Sequence, residues 1–206
     1  RATTYIYNVS LHDALPISDS MQIYKGMDIG TAKATQAQRE KVVHHLIDII
    51  DPGQNYSVAD YKRDATSKLR DILARGRQPI LCGGTGQYLS AIIDGLKFSE
   101  HAPDPALRSS LAAEADLLGM DAMYERLTLT DPETAVRLNP SDRKRIIRAL
   151  EIHLQTGLTL SEHNRRSRLT GPDFSFKIFG LSHDRPVLYD RINKRVDDML
   201  AAGLEI

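Results

Sequence analysis

The sequence lacks the residues on which several classes of protein depend. Its 206 residues contain no tryptophan and one cysteine, Cys82. A single cysteine excludes a disulfide framework and any metal site built from a cluster of thiolates. Neither sign of charge dominates, since 27 basic residues balance 27 acidic ones. Such a protein can bind nucleic acid only through a local basic patch, because its overall field does not attract a polyanion.

Long hydrophobic runs are also missing. No apolar stretch approaches the ~20 residues that a membrane-spanning helix needs, so we expect no membrane partner and a cytoplasmic location. A hydrophobic content of 41% and a charged content of 26% are ordinary values for a globular protein. Cys82 ends the apolar run Pro79-Ile80-Leu81-Cys82, which indicates a buried, unreactive thiol.

Two polar strings with glycines are the most informative features that are present. Residues 19–33 read D-S-M-Q-I-Y-K-G-M-D-I-G-T-A-K, and residues 83–88 read G-G-T-G-Q-Y. Neither string has a clear hydrophobic period, so both are predicted to be loops or turns, where functional sites are commonly built. The second string follows a predicted buried strand at 78–82 and precedes a predicted helix at 87–93. This βα order places its turn at the carboxyl end of a parallel sheet, where ligands bind.

The rest of the chain is predicted to be mostly helical. Ser57 is expected to begin a helix, with Asp60 completing a capping box and Gly76 ending it. A returning core strand is predicted at 176–181, followed by a helix at 187–202. Between residues 105 and 170 we find no strand-like alternation. Helices are predicted there at 105–118, 120–127, 132–138, 141–155 and 160–166.

These strings, together with R-I-I-R-A-L-E at residues 145–151, resemble segments of tRNA dimethylallyltransferases. That family prenylates an adenosine beside the anticodon, and the resemblance extends over residues 19–206. It implies an α/β fold, with a P-loop NTPase-like parallel-sheet core (19–100 and 171–206) and a helical insertion that contacts tRNA (101–170). It also implies transfer of a dimethylallyl group from dimethylallyl diphosphate to the exocyclic amine of the adenosine. Mg²⁺ would help to stabilise the departing diphosphate.

The resemblance places Asp19 where the family has its general base. An adenine amine is a poor nucleophile and must lose a proton as its nitrogen bonds to carbon, and a carboxylate within ~3 Å can accept that proton. By its neighbours alone, an aspartate followed by serine is more typical of a cap or turn. The family also implies that Thr85 is a second catalytic, tRNA-contacting position. The residues implied to line the pocket for the extruded base are Ser20, Met21 and Gln22.

The basic residues of the predicted insertion admit two interpretations. On a helix, Lys144, Arg145 and Arg148 form one basic face, and a charge run of this kind is usually just solvated. Arg108 alone would likewise be a solvated helix residue. The resemblance instead assigns Arg108 to nucleic-acid contact, together with a segment of the helix that comprises Lys144, Arg145, Ile146, Ile147 and Arg148.

Residues 1–18 fit the rest of the sequence poorly. Residues 10–17, S-L-H-D-A-L-P-I, can be back-translated into a common sequencing-adapter oligonucleotide. We therefore expect residues 1–18 to be non-native and to lie outside the fold. The alternative is a genuine strand at 3–9 and a turn at Pro16.

The family carries a strand and a Walker-type loop ahead of its D-S-M-Q segment. No G-x-x-x-x-G-K-[ST] occurs in this sequence, and that loop supplies the hydroxyl that binds Mg²⁺. We therefore expect an internal fragment that lacks the first strand and the P-loop and is inactive as it stands. No residue of the chain is assigned as a metal ligand.

Two other functions stay open at this point. A P-loop kinase of small molecules would share the core and would not need the basic insertion helix. A non-catalytic RNA-binding module would use the insertion alone, and its RNA binding would not depend on Asp19. In each case we expect a monomer.

Overall fold

The computed structural model describes residues 15–98, 104–169 and 171–204. The chain divides into two compact units. The α/β unit extends to Asp94 and resumes at Pro172, and the helical unit runs from Gly95 to Gly171. Each unit has a hydrophobic core of its own.

The sheet of the α/β unit has three short parallel strands. They are β1 (Leu15–Ser18), β2 (His44–His45) and β3 (Cys82–Gly83), in the order β2-β1-β3. Leu15 pairs with His44 on one side of β1, and Ser18 pairs with Gly83 on the other. Parallel pairing confirms the predicted α/β class and brings the carboxyl ends of β1 and β3 to the same edge.

The central strand corrects one prediction. Residues 1–18 were expected to lie outside the fold, yet Leu15–Ser18 form the strand to which both others pair. Pro16, Ile17 and Ser18 are buried there. These residues therefore do not lie outside the fold, because strand partners satisfy their backbone whatever sequence encodes them. The non-native origin expected for residues 1–18 stays a prediction. The alternative strand at 3–9 lies outside the described residues.

The helices alternate with the strands in the α/β unit and follow one another directly in the helical unit. In chain order they are α1 (Gln36–Lys41), α2 (Val58–Ala74), α3 (Gly86–Ile93), α4 (Pro105–Leu118), α5 (Met120–Thr130), α6 (Pro132–Ala135), α7 (Arg143–Thr156), α8 (Leu160–Ser167) and α9 (Arg185–Ala201). None of the helices in the described ranges is long and apolar enough to cross a membrane.

Helix α2 shows how the sequence determines the core of the α/β unit. Ser57 and Asp60 form the predicted capping box, each side chain accepting a hydrogen bond from the other residue's backbone N–H. The buried face of α2 includes Tyr61. Its ring stacks on that of Tyr88 from α3, with centroids 4.0 Å apart. This contact fixes α3, and therefore the turn that precedes it, against the core.

Two predictions about strands are wrong. Residues 78–81 are not in a strand, and Cys82 is exposed rather than buried. Residues 176–181 form no strand either, and Phe179 and Leu181 are 85% and 98% exposed. Apolar runs of this length predict a strand only when a neighbouring strand is available to pair with them. None of the described strands pairs with residues 176–181.

The helical unit is built around one buried cluster. Its members come from α4, α5, α6 and α7, with Ile146 and Leu150 of α7 fully buried. The buried carboxylate of Asp131 accepts hydrogen bonds from the backbone and hydroxyl of Thr134 and from the backbone N–H of Ser161. This carboxylate links the start of α6 to the start of α8.

A close backbone approach between β1 and β3 supplies a test of the fold. A Cβ at Gly83 would lie 2.2 Å from the carbonyl oxygen of Ser18, whereas a Cβ at Gly84 would meet no atom within 4 Å. We expect Gly83→Ala to lower the free energy of unfolding by about 3 kcal/mol, since the neighbour is backbone and must shift. Urea unfolding measures the loss, with Gly84→Ala as the matched control. Equal stability of the two variants would contradict the β1–β3 pairing.

Candidate functional site

The two predicted loops meet at the carboxyl edge of the sheet. Asp19 follows β1 directly, and Thr85 lies two residues after β3, where it is the N-cap residue of α3. The backbone N–H of Thr85 donates to the carbonyl oxygen of Ser18 at 3.1 Å. Strand pairing therefore brings together residues that are far apart in the sequence.

Asp19 is held by its own loop through one carboxylate oxygen. Oδ1 accepts hydrogen bonds from the backbone N–H of Met21 at 2.8 Å and of Gln22 at 3.3 Å. In the described part of the chain, Oδ2 has no hydrogen-bond partner. The carboxylate thus has a fixed orientation and one oxygen left to accept a proton.

Thr85 links the two loops. Its Oγ1 accepts a hydrogen bond from the backbone N–H of Ser20 at 3.0 Å and donates to Oγ of Ser20 at 3.4 Å. The hydroxyl is therefore occupied in holding the Asp19 loop against β3. This geometry suits a positioning residue, and the catalytic role predicted for Thr85 stays a prediction.

Asp19 and Met21 line a cleft of about 620 Å³, a size typical of small-molecule sites. Residues 26–31 form much of its lining, and Arg195, Gly203 and Leu204 complete it. Gln22 supports this lining, because its Nε2 donates to the carbonyl oxygen of Thr31, one of the lining residues, at 3.3 Å. The cleft combines apolar side chains with two carboxylates, Asp19 and Asp28, and one cation, Arg195.

A buried lysine anchors the loop that lines the cleft. Nζ of Lys33 lies 2.8 Å from Asp28 and 2.5 Å from Asp48, and it donates to the carbonyl oxygen of Tyr24 at 2.6 Å. The side chain of Lys33 is fully buried. The sequence does not mark Lys33 as buried, because a loop lysine is normally solvated and its acidic partner Asp48 is 15 residues away.

Asp48 is the centre of this network. Burial opposes its ionisation, but hydrogen bonds from Lys33 and Arg39 outweigh that effect and hold the pKa of Asp48 below its ordinary value. A lowered pKa in the folded state means that the carboxylate contributes stability above its unfolded pKa of about 3.9. The contribution is lost as the pH falls through the folded value.

The helical unit brings together two of its predicted nucleic-acid residues. Arg108 on α4 and Arg148 on α7 both contact the carboxylate of Glu151. Farther along the same face of α7, Lys144 and Arg145 are exposed, and Arg145 pairs with Asp142 at 3.2 Å. Glu151 is the last residue of the R-I-I-R-A-L-E string, but its role depends on Arg108, 43 residues away, and was not predicted.

The assignment of Ile146 and Ile147 to tRNA binding requires correction. Their side chains are only 0% and 6% exposed and belong to the core cluster of the helical unit. A side chain buried among apolar neighbours cannot contact RNA without opening that core. The helical period separates these two isoleucines from the basic face on which Lys144, Arg145 and Arg148 lie.

The described residues do not form a metal site of their own. Across 15–98, 104–169 and 171–204, no group of three or more His, Cys, Asp or Glu side chains is placed to hold a metal ion. No step of the chemistry is therefore assigned to a metal held by this chain.

Comparison with known proteins finds one family. The IPP transferase family model matches residues 22–205. The tRNA dimethylallyltransferase of Heliobacterium modesticaldum is 47% identical over 186 residues, which is 90% of this chain and 58% of the relative. That of Bacillus subtilis is 43% identical over 198 residues, which is 95% of this chain and 62% of the relative. The chain thus spans about three fifths of the length of these curated relatives.

Solved structures agree with the sequence relatives. The tRNA isopentenylpyrophosphate transferase of Bacillus halodurans is 41% identical with a TM-score of 0.59, over 94% of this chain and 59% of that one. A eukaryotic dimethylallyltransferase acting on tRNA is 29% identical with a TM-score of 0.77, over 93% of this chain and 47% of that one. Both share the α/β fold with its parallel sheet.

The link between the two loops can be tested at Thr85. Thr85→Val keeps the shape of the side chain but leaves the N–H of Ser20 without its acceptor, so we expect a loss of about 1–2 kcal/mol in the free energy of unfolding. Thr85→Ser retains the hydroxyl and should cost less. Urea unfolding of both variants makes the comparison. A valine variant as stable as the serine variant would contradict the linking role.

The Asp48 network predicts a dependence on pH. Asp48→Asn should lower the free energy of unfolding at pH 7 by about 2 kcal/mol, because it removes a charged acceptor of Lys33 and Arg39. The difference from the parent chain should shrink below about pH 4, where the parent carboxylate also becomes protonated. Asp51→Asn is the control, since it breaks an exposed pair with Lys25 and should cost under about 1 kcal/mol. A difference independent of pH would contradict the prediction.

Proposed function

The chain belongs to the IPP transferase family, and from this membership we propose that it serves in the prenylation of tRNA. The proposed reaction transfers a dimethylallyl group from dimethylallyl diphosphate to the exocyclic amine of an adenosine next to the anticodon. The observation that supports it best is the carboxylate of Asp19 beside a cleft, with one oxygen fixed and the other without a partner among the described residues.

Asp19 acts as the general base in this proposal. The amine nitrogen bonds to the first carbon of the dimethylallyl group as the carbon–oxygen bond to the diphosphate breaks. The amine proton passes to Oδ2 of Asp19, and the diphosphate departs with the bonding electrons. Such a proton transfer contributes about 10²–10⁴-fold to the rate. Oδ1 stays bound to the backbone N–H groups of Met21 and Gln22, so the base need not reorient.

The lining of the cleft is compatible with this substrate. Met21, Met27 and Ile29 supply apolar side chains, which would accommodate a branched hydrocarbon group. Arg195 at the same cleft offers a cation of the kind that binds diphosphate oxygens. Mg²⁺ at the diphosphate is an expectation from the family alone, and no described residue is assigned to it.

The helical unit would supply the contacts to the tRNA backbone. Arg108, Lys144, Arg145 and Arg148 are at least partly exposed, and binding through such residues depends steeply on salt. This basic face also favours the second candidate, an RNA-binding module without catalysis. The small-molecule kinase has weaker support, since a kinase does not need the basic face. A cytoplasmic monomer remains part of the proposal.

A chimera tests the catalytic proposal. Residues 19–205 of this chain replace the matching stretch of the B. subtilis relative, and transfer of a radiolabelled dimethylallyl group to tRNA is measured. We expect the chimera to transfer the group, and Asp19→Asn in it to lower the rate by about 10²-fold or more. Binding of tRNA should be unchanged, because Asp19 acts on the proton and not on the RNA backbone.

The neighbouring acid Asp28 provides the control. It lines the same cleft but pairs with Lys33, so Asp28→Asn should retain most of the transfer rate. Prenylation retained by Asp19→Asn would remove Asp19 from the mechanism. A chimera that binds tRNA but never transfers the group would favour the RNA-binding module.

A further inference from the structure

Glu151 is a fully buried carboxylate whose partners come from two helices. Arg108 of α4 donates to it from Nε at 3.0 Å and from Nη2 at 2.9 and 3.2 Å, which is a bidentate arrangement. Nη1 of Arg148, one turn earlier on α7, lies 3.0 Å from the same Oε2 atom. A buried carboxylate is costly to maintain unless it is paired in this way.

Two arginines around one carboxylate leave an uncompensated positive charge. Both guanidinium groups approach Oε2 to within about 3 Å, so they lie close to each other despite their like charge. In the absence of Glu151 the arginines would repel each other and separate. The carboxylate therefore holds together a pair of cations whose combined charge it only half neutralises.

In the described part of the chain, both guanidinium groups keep donors that have no protein partner. The side chains of Arg108 and Arg148 are 50% and 43% exposed, whereas Glu151 is 0% exposed. Arg108 uses Nε and Nη2 on the carboxylate, which leaves Nη1. Arg148 contacts the carboxylate only through Nη1, and this contact is not a well-directed hydrogen bond. Its Nε and Nη2 atoms have no partner among the described residues and are available to a ligand. Convergent arginine donors of this kind suit a phosphate group.

We propose that Glu151 is a positioning residue that fixes Arg108 and Arg148 as a pair for one phosphate group of the tRNA backbone. The inference rests on the proposed function, because it takes tRNA as the ligand of the helical unit. It adds a residue that does not touch the RNA but determines how two others do.

A second pair in the same unit shows what a purely structural contact looks like. Arg126 on α5 donates to Glu114 on α4 at 3.0 Å, also between two helices. Glu114 is 35% exposed and is contacted by one arginine. Since neither residue belongs to the proposed RNA face, Glu114→Gln is a matched control for Glu151→Gln.

The test is the affinity of the 206-residue chain for unmodified tRNA, measured by fluorescence anisotropy over a range of salt concentrations. Removing a negative charge from a basic surface should by itself strengthen binding to a polyanion. The positioning role predicts the opposite sign for Glu151→Gln: affinity about tenfold weaker, with the salt slope reduced by about 0.7, the value for one lost phosphate contact. Glu114→Gln should bind as tightly as the parent chain or slightly more tightly.

A second variant covers the case in which Glu151→Gln does not fold, as judged by circular dichroism. Arg108→Lys keeps the charge and leaves Glu151 in place, but an ammonium group cannot make the bidentate contact. It should also weaken tRNA binding, by about threefold to tenfold. An Arg108→Lys chain that binds as tightly as the parent would overturn the proposal.

The outcomes separate this inference from the proposed function. A folded Glu151→Gln chain with unchanged or tighter binding overturns the positioning role, while the tRNA ligand stands as long as Arg148→Gln weakens binding. A parent chain that shows no salt-dependent tRNA binding overturns both.

Discussion

The pairing of β1 with β3 is the constraint on which the candidate active site depends. It brings Ser18 and Gly83 so close that only glycine fits at the second position, where a Cβ would lie 2.2 Å from a carbonyl oxygen. The loops that leave the two strands are then joined by Thr85, which binds Ser20 through its side chain and Ser18 through its backbone. Asp19 lies between these two contacts. Its position next to the cleft is thus determined by backbone pairing, which tolerates little adjustment.

Each unit uses a buried charge to organise charges nearer the surface. In the α/β unit the cation of Lys33 pairs with Asp28 and Asp48. It also binds the carbonyl oxygen of Tyr24, which precedes the residues that line the cleft. In the helical unit the anion of Glu151 holds Arg108 and Arg148. Burying such a group is costly, so these pairs are weak evidence of stability by themselves. These buried charges fix the geometry of exposed groups that would otherwise be mobile.

The sequence predicted the helices well because their signals are local. The capping box of Ser57 and Asp60 is such a short-range pattern, whereas the α/β class came from the family resemblance together with one βα turn. Strands were predicted poorly, since 78–81 and 176–181 needed partners that only the tertiary structure could reveal. Within the site, Asp19 and Thr85 were identified through the resemblance of their strings to a known family, and their roles stay predictions. Lys33 and Glu151 were missed because their roles arise from contacts across 15 and 43 residues of sequence.

The most direct measurement is a structure of the chain bound to a tRNA anticodon stem-loop. The exocyclic nitrogen of the extruded adenine should lie within hydrogen-bond distance of Oδ2 of Asp19, at ~3 Å. The cleft lined by Met21 and residues 26–31 should remain open beside that nitrogen for the prenyl group. An adenine bound away from Asp19, with the carboxylate facing only its own loop, would contradict the assignment of Asp19 as the general base.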